Sequence, residues 1–189
     1  MEAFLISTGV VALAEMGDKT QLLSLVLAAR FRAPVPIILG ILAATLLNHA
    51  GAGAVGALIM QWLGPDLMRW IIGAGFLVMA AWTLVPDVLD DEAVPASRYG
   101  VFAATFVAFF IAEMGDKTQV ATVVLAAQHA SLVAVVLGTT CGMMLANVPV
   151  VIFGETITRR LPLKVIHPVT AALFAVLGLL LLFNVGGML

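Results

Sequence analysis

The sequence predicts an all-α integral membrane protein, with six transmembrane helices arranged as two inverted three-helix repeats. Three observations carry that expectation. The chain has 189 residues, 62% of them hydrophobic and 11% charged, where a soluble domain carries about 25% charged residues. The octapeptide AEMGDKTQ occurs as Ala14 to Gln21 and again, unchanged, as Ala112 to Gln119. Each copy opens a half with three apolar stretches, and an odd number of crossings makes the second half enter the bilayer upside down.

A hydrocarbon core about 30 Å thick takes roughly 20 helical residues to cross. Apolar stretches of that order fall at 3–29, 34–62, 67–86, 100–127, 131–156 and 166–188. The first starts with an acidic residue instead of a basic segment and has no small-residue cleavage site, so it reads as a retained span and not as a signal peptide. RFRAPVP ends it, and LGPD separates the second stretch from the third. The run from Thr118 to Gly154 has no Asp, Glu, Lys or Arg; as one helix it would be about 55 Å long, so it must turn near Gln128 to Ser131. RRLPLKVIHP precedes the last span. The polar segment Asp87 to Arg98 divides the chain into a first three-helix repeat (1–86), an acidic cytoplasmic linker (87–99) and a second, inverted repeat (100–189).

The correspondence extends beyond the octapeptide. Leu27–Ala29 matches Leu125–Ala127, Leu39–Gly40 matches Leu137–Gly138, and Asn48 matches Asn147 once a residue is inserted in the second half. The third and sixth spans are nearly free of charge and are expected to face lipid. GAGAVGAL, Gly51 to Leu58, reads first as close helix packing and second as a hinge.

Basic residues orient the chain. Arg30, Arg32, Arg98, Arg159, Arg160 and Lys164 lie on the side of the first, third and fifth connections, against Arg69 alone on the other. Those connections are expected in the cytoplasm, with both termini external. A net charge of −2 with scattered basic residues excludes nucleic acid as a partner. The single cysteine, Cys141, lies in an apolar stretch and reads as a small packed hydrophobe.

Glu15, Asp18 and Lys19, with Glu113, Asp116 and Lys117, fall near the middle of the first and fourth spans. An Asp or Lys at the bilayer centre costs about 2.5–3.5 kcal/mol on insertion scales, so something must compensate for six. Ion pairs Glu15–Lys19 and Glu113–Lys117 at i,i+4 are the structural alternative, but they leave Asp18 and Asp116 unneutralised. Four carboxylates and two lysines sum to −2, which suits one divalent cation or two protons. Gly17 and Gly115 permit either close helix approach or a local break that frees carbonyls. Thr20, Gln21, Thr118 and Gln119 add neutral oxygens, and Asn48 and Asn147 are either further oxygen ligands or helix-to-helix hydrogen bonds. An all-oxygen set suits Mn, Ca or Mg. His49 reads as a packed histidine before a soft ligand or proton acceptor, His129 and His167 as interfacial, and Glu155 as close to the cytoplasmic end of its span.

These residues resemble the family of small membrane proteins with two Glu-x-Gly-Asp-Lys/Arg-Thr/Ser motifs, which includes Golgi manganese/calcium transporters and bacterial manganese exporters. The resemblance covers essentially the whole chain, with no departure in Glu15, Gly17, Asp18, Lys19, Thr20 or in Glu113, Gly115, Asp116, Lys117, Thr118. It implies a secondary transporter of the cation/calcium exchanger type that moves Mn2+, or Ca2+ as the alternative, against protons, with no cofactor. The short central loop resembles the bacterial members and implies a multi-pass protein of the inner (plasma) membrane, with a divalent metal ion as substrate and the lipid bilayer as surroundings. An intramembrane metalloenzyme, which would use His among its ligands and an open coordination position, and a structural scaffold are the rival readings. The orientation is tested by cysteine labelling: Glu92→Cys is expected to react only from the cytoplasmic side, and labelling only from outside would reverse the assignment.

Overall fold

The computed structural model describes residues 1–85, 100–154 and 163–183, and the regular structure among them is helical. The helices are α1 (Glu2–Glu15), α2 (Lys19–Phe31), α3 (Pro34–Thr83), α4 (Gly100–Glu113), α5 (Lys117–Gln128), α6 (Leu132–Phe153) and α7 (Leu163–Leu182). The acidic linker, Arg98, Glu155, Arg159 and Arg160 lie outside the described residues, as do the side chains of Lys164 and His167.

Two stretches, Pro34–Trp62 with mean hydropathy 1.7 and Leu132–Phe153 with 1.9, are long and apolar enough to cross a bilayer. Beside an apolar core, charged side chains are buried and many large apolar ones are exposed, which is uncommon in a water-soluble fold. Large apolar side chains such as Ile111, Val133, Leu145 and Phe153 are exposed, while Glu15, Asp18, Glu113, Asp116 and Asn147 are buried. That distribution suits an apolar solvent outside, and the chain is a membrane protein.

The first and fourth apolar stretches are each expected as one helix, and each is broken at its motif. Between α1 and α2 the chain passes through Met16, Gly17 and Asp18; between α4 and α5 it passes through Met114, Gly115 and Asp116. Gly17 (φ 84°) and Gly115 (φ 77°) occupy the left-handed region, where a side chain would be strained. Asp18 (ψ 167°) and Asp116 (ψ 169°) are extended, and each stands at the N-cap of the resuming helix. A Cβ added at Gly115 would meet nothing. Of the two roles the sequence leaves open for this glycine, the break is therefore the one it serves.

The second and third stretches are expected as separate helices, yet α3 keeps helical hydrogen bonding over 50 residues. A straight rod of that length would be about 75 Å long. Gly56 and Gly75 would stand about 28 Å apart along such a rod, but they pack against consecutive residues of α5, Val123 and Val124. The helix therefore doubles back between them.

Contacts set the directions of the helices. Along α6, Gly138 packs against Phe4 and Ser7, and Gly142 against Thr8 and Val11. Farther along, Ala146 and Asn147 bond Gln21 and Ser24. Thus α1 and α2 run in sequence beside α6, in the same sense. Along the first arm of α3, Gly40 packs against Phe102 and Thr105, Asn48 bonds Phe110, and Gly56 packs against Val123. Thus α4 and α5 run beside α3, again in the same sense. Gly53, late in that arm, meets Leu132 and Val136 at the start of α6, while Ile37 and Ile41 at the start of the arm share a core cluster with Val151 near the end of α6, so α3 and α6 are antiparallel. The α1–α2 pair is consequently antiparallel to the α4–α5 pair. Gly138 meeting Phe4 and Ser7 repeats, with the halves exchanged, Gly40 meeting Phe102 and Thr105.

The third and sixth spans are not simply lipid-facing. Ile72, Phe76 and Met79 of α3 and Phe174 and Leu181 of α7 are buried in one core cluster, and Phe76 stacks on Phe174 at 6.0 Å. Close approach of Gly73 and Gly178 allows this contact, leaving only the outer faces, such as Val78 and Val176, exposed. In GAGAVGAL, Gly53 and Gly56 serve close packing. A Cβ at Gly56 would lie 2.2 Å from the Val123 carbonyl oxygen, which as backbone cannot move aside cheaply. Gly56→Ala is expected to destabilise the protein by about 1–3 kcal/mol, seen as a lower midpoint in thermal unfolding in detergent. Gly51→Ala, where nothing lies within 4 Å, should leave the midpoint nearly unchanged.

Candidate functional site

The two breaks bring both motifs together. Glu15, Asp18, Glu113 and Asp116 are all at or below 2% exposure. One carboxylate oxygen from each of Glu15, Glu113 and Asp116 lies within 4.8 Å of the others. Oxygen ligands of a single divalent cation are separated by about 3–5 Å at the usual metal–oxygen distances. Those three carboxylates can therefore share one ion.

The lysines cross between motifs. Lys19 Nζ lies 2.8 Å from Asp116 Oδ1, and Lys117 Nζ lies 2.6 Å from Asp18 Oδ1. The i,i+4 pairing of Glu15 with Lys19, the structural alternative in the sequence, is not what forms, because the break at Gly17 removes the continuous helix that would stack those side chains. Asp18 is thus held by Lys117 and does not belong to the close trio. The surroundings of the two pairs differ: the Lys117 side chain is 4% exposed and that of Lys19 is 25% exposed.

The neighbouring polar residues have specific tasks. The Thr20 hydroxyl donates to Glu15 Oε2 and the Thr118 hydroxyl to Glu113 Oε2, across the break in each case. Gln21 Oε1 accepts the Gly17 N–H at 3.0 Å, and Gln119 Oε1 accepts that of Gly115 at 2.7 Å. The glutamines therefore satisfy backbone groups that the interrupted helix leaves open. Their oxygens, expected as additional ligands, are engaged locally. The second carboxylate oxygens, Glu15 Oε1 and Glu113 Oε1, are buried without a hydrogen-bond donor. Leaving such an acceptor unmet is costly, and a cation or a proton would meet it. The breaks also place the N-termini of α2 and α5 at Asp18 and Asp116, where the helix dipole favours negative charge.

Asn48 and Asn147 make helix-to-helix hydrogen bonds. Asn48 Nδ2 donates to the Phe110 carbonyl at 3.1 Å. Asn147 Oδ1 accepts from the Ser24 hydroxyl at 2.7 Å while its Nδ2 donates to the Met143 carbonyl. His49 is fully buried and neither ring nitrogen has a hydrogen-bond partner, but it is not among the clustered carboxylates. His129 follows the last residue of α5 and is half-buried. Ser24 was not singled out in the sequence, although a signal was present: it stands three residues after Gln21, on a nearby face of the same helix, and Thr122 occupies the matching place in the second half.

The sequence model of a family described as "Divalent cation/proton antiporter GDT1" matches residues 3–91 and 101–188. A protein of Vibrio cholerae serotype O1 named "Putative manganese exporter" is 52% identical over 180 residues, covering 95% of this chain and 90% of that protein. No solved structure matches the chain.

The unequal exposure of the two lysines has a measurable consequence. Removing one member of a buried ion pair costs about 3–5 kcal/mol, whereas a partly solvated pair contributes less. Lys117→Met is expected to lower the thermal unfolding midpoint clearly more than Lys19→Met. Equal shifts would show that the two pairs are equally shielded from solvent.

Proposed function

The chain belongs to the divalent cation/proton antiporter family, and from that premise we propose that it exports Mn2+ from the cytoplasm in exchange for protons. The observation that carries this reading is the convergence of Glu15, Glu113 and Asp116 within 4.8 Å, beside two aspartates held by lysines of the opposite motif. Manganese is chosen over calcium because the similar Vibrio cholerae protein is named for manganese export; the donor chemistry accommodates Ca2+ as well.

In this reading Glu15, Glu113 and Asp116 hold the ion first, and Asp18, which Lys117 holds outside that close trio, completes the carboxylate cage. Lys19 and Lys117 neutralise the two aspartates when no ion is held, so the cage is never a bare cluster of negative charge. A carboxylate oxygen that holds a proton cannot also hold the metal, so protons and the metal compete for the same oxygens. Protonation on the outer side releases the ion, and deprotonation on the cytoplasmic side restores the cage for the next one. No separate proton path is required. An intramembrane metalloenzyme is disfavoured because the candidate ligand group found among the described residues, Glu15, Glu113 and Asp116, contains no histidine.

The proposed architecture is six spans in two inverted three-helix repeats, 1–86 and 100–189, with the site near the midplane between them. It is supported by the antiparallel relation of α1–α2 to α4–α5 and by the two matched segments, which fall one in each half. The surrounding membrane is a bacterial-type inner membrane, with external termini and residues 87–99 cytoplasmic, as the basic-residue asymmetry indicates.

Proteoliposomes loaded with Mn2+ or Ca2+, with and without a pH gradient, test the reading. Mn2+ flux should rise with the gradient, and Asp18→Asn or Asp116→Asn should each remove most of it while the protein stays folded in the membrane. Calorimetry in buffers of different ionisation enthalpy should find protons released as Mn2+ binds, with weaker binding as pH falls. Normal Mn2+ flux in either variant would sink the shared cage; binding without proton release between pH 6 and 8 would exclude direct competition. Faster flux of Ca2+ than Mn2+ would transfer the same mechanism to calcium.

A further inference from the structure

The two halves share a motif but do not make the same hydrogen bonds around it. In the first half, Gln21 Nε2 donates to the Ala146 carbonyl at 3.1 Å and the Ser24 hydroxyl donates to Asn147 Oδ1 at 2.7 Å. Both bonds tie α2 to α6, and Gln21, Ser24 and Asn147 are buried. In the second half the matching residues are Gln119, Thr122 and Asn48. There the Thr122 hydroxyl turns back to the Thr118 carbonyl of its own helix, and Gln119 bonds the Gly115 N–H. Asn48 bonds Phe110 of α4 and not α5. Neither of the α5 side chains that match the tie, Gln119 and Thr122, bonds α3.

A cavity of about 540 Å³ stands where that tie would be, lined among others by Asn48, Phe110, Met114 and Gln119. The break exposes its residues accordingly. Met114 and Gly115 are exposed at the second motif, whereas Met16 and Gly17 are half-buried at the first. Near-identical sequence thus adopts a tied and an untied interface in one molecule.

We propose that Gln21 and Ser24 form a latch that closes α2 on α6 and withholds the Asn147 oxygen from the ion, while the matching interface of α5 with α3 stands unlatched around Asn48. The inference rests on the transport reading above and adds to it which residues hold one side shut. When the ion changes sides the two interfaces exchange roles: α2 releases α6, Asn147 Oδ1 becomes available to the cation, and Gln119 and Thr122 close on α3. Ser24 is a positioning residue in this scheme, acting through Asn147 without touching the ion. The exchange involves no new contact type, because each half already shows the geometry the other would adopt.

Thiol labelling of purified protein in detergent tests the latch without depending on transport. In a Cys141→Ser background, Met114→Cys should react with N-ethylmaleimide faster than Met16→Cys. Adding Ser24→Ala should raise the Met16→Cys rate about fivefold, the change in population expected from losing one hydrogen bond, and should slow the Met114→Cys rate. Ser24→Thr, which keeps the hydroxyl and copies Thr122, should leave both rates near their starting values. Unchanged rates in Ser24→Ala would overturn the latch, as would equal effects of Ser24→Ala and Ser24→Thr, which would assign the change to packing. A shift in labelling in protein that moves neither Mn2+ nor Ca2+ in proteoliposomes would support the latch and refute the transport reading. Normal flux with unmoved labelling would do the reverse.

Discussion

Lys19 reaches Asp116 and Lys117 reaches Asp18, and each of these ion pairs joins one half of the chain to the other. A buried aspartate without a counter-charge is too costly to persist in this environment. Neither motif meets that requirement by pairing its aspartate with its own lysine. Each supplies the cation its counterpart needs, so the charges are tolerable only when the halves are assembled face to face. The carboxylate trio follows from the same constraint, because bringing the aspartates to the opposite lysines also brings Glu15 and Glu113 together.

The crossing depends on the helix breaks. A continuous helix would stack Glu15 over Lys19 and close the charge within one element. Gly17 and Gly115 prevent this by taking left-handed backbone angles, and the chain that resumes directs Lys19 and Lys117 to the opposite motif. Interrupting a helix in an apolar core leaves backbone groups unmet. Gln21 and Gln119 restore one of these in each half by accepting the glycine N–H. Thr20 and Thr118 engage the glutamates just before the break. The conformational, polar and charged residues of the motif are therefore parts of one solution to the problem of placing charge inside an apolar fold.

Glycine packing holds the broken helices in register. Gly138 and Gly142 admit α1 against α6, and Gly40 and Gly56 admit α4 and α5 against α3. These contacts determine where each break falls along its partner helix. The doubling back of α3 brings its second arm against α7 and α5, so a segment without charge still anchors the core through Phe76 and Phe174. Against this near-symmetric frame, the difference between an α2–α6 contact with side-chain hydrogen bonds and an α5–α3 contact without the matching ones is local, confined to a few polar side chains.

Much of this was legible in the sequence because it is written in residue types and spacing. Apolar runs specified a membrane protein, the octapeptide specified a duplication, and a surplus of carboxylates over lysines in apolar stretches pointed to a candidate site. Gly17 and Gly115 marked places where a helix could break, since few other residues tolerate the required backbone angle. What the spacing could not decide was which partner each charge takes. Glu15 and Lys19 are close in sequence and would pair on an unbroken helix, while Asp18 and Lys117 stand 99 positions apart, a separation that carries no local signal of contact. The pairing of Lys117 with Asp18, the tie between Ser24 and Asn147 and the fold of α3 upon itself all depend on contacts between segments distant in the chain, and such contacts are set by packing. The sequence by itself determined the chemistry placed in the membrane; the tertiary structure decided which groups meet, because a charge in an apolar interior takes the partner that the surrounding helices bring within reach.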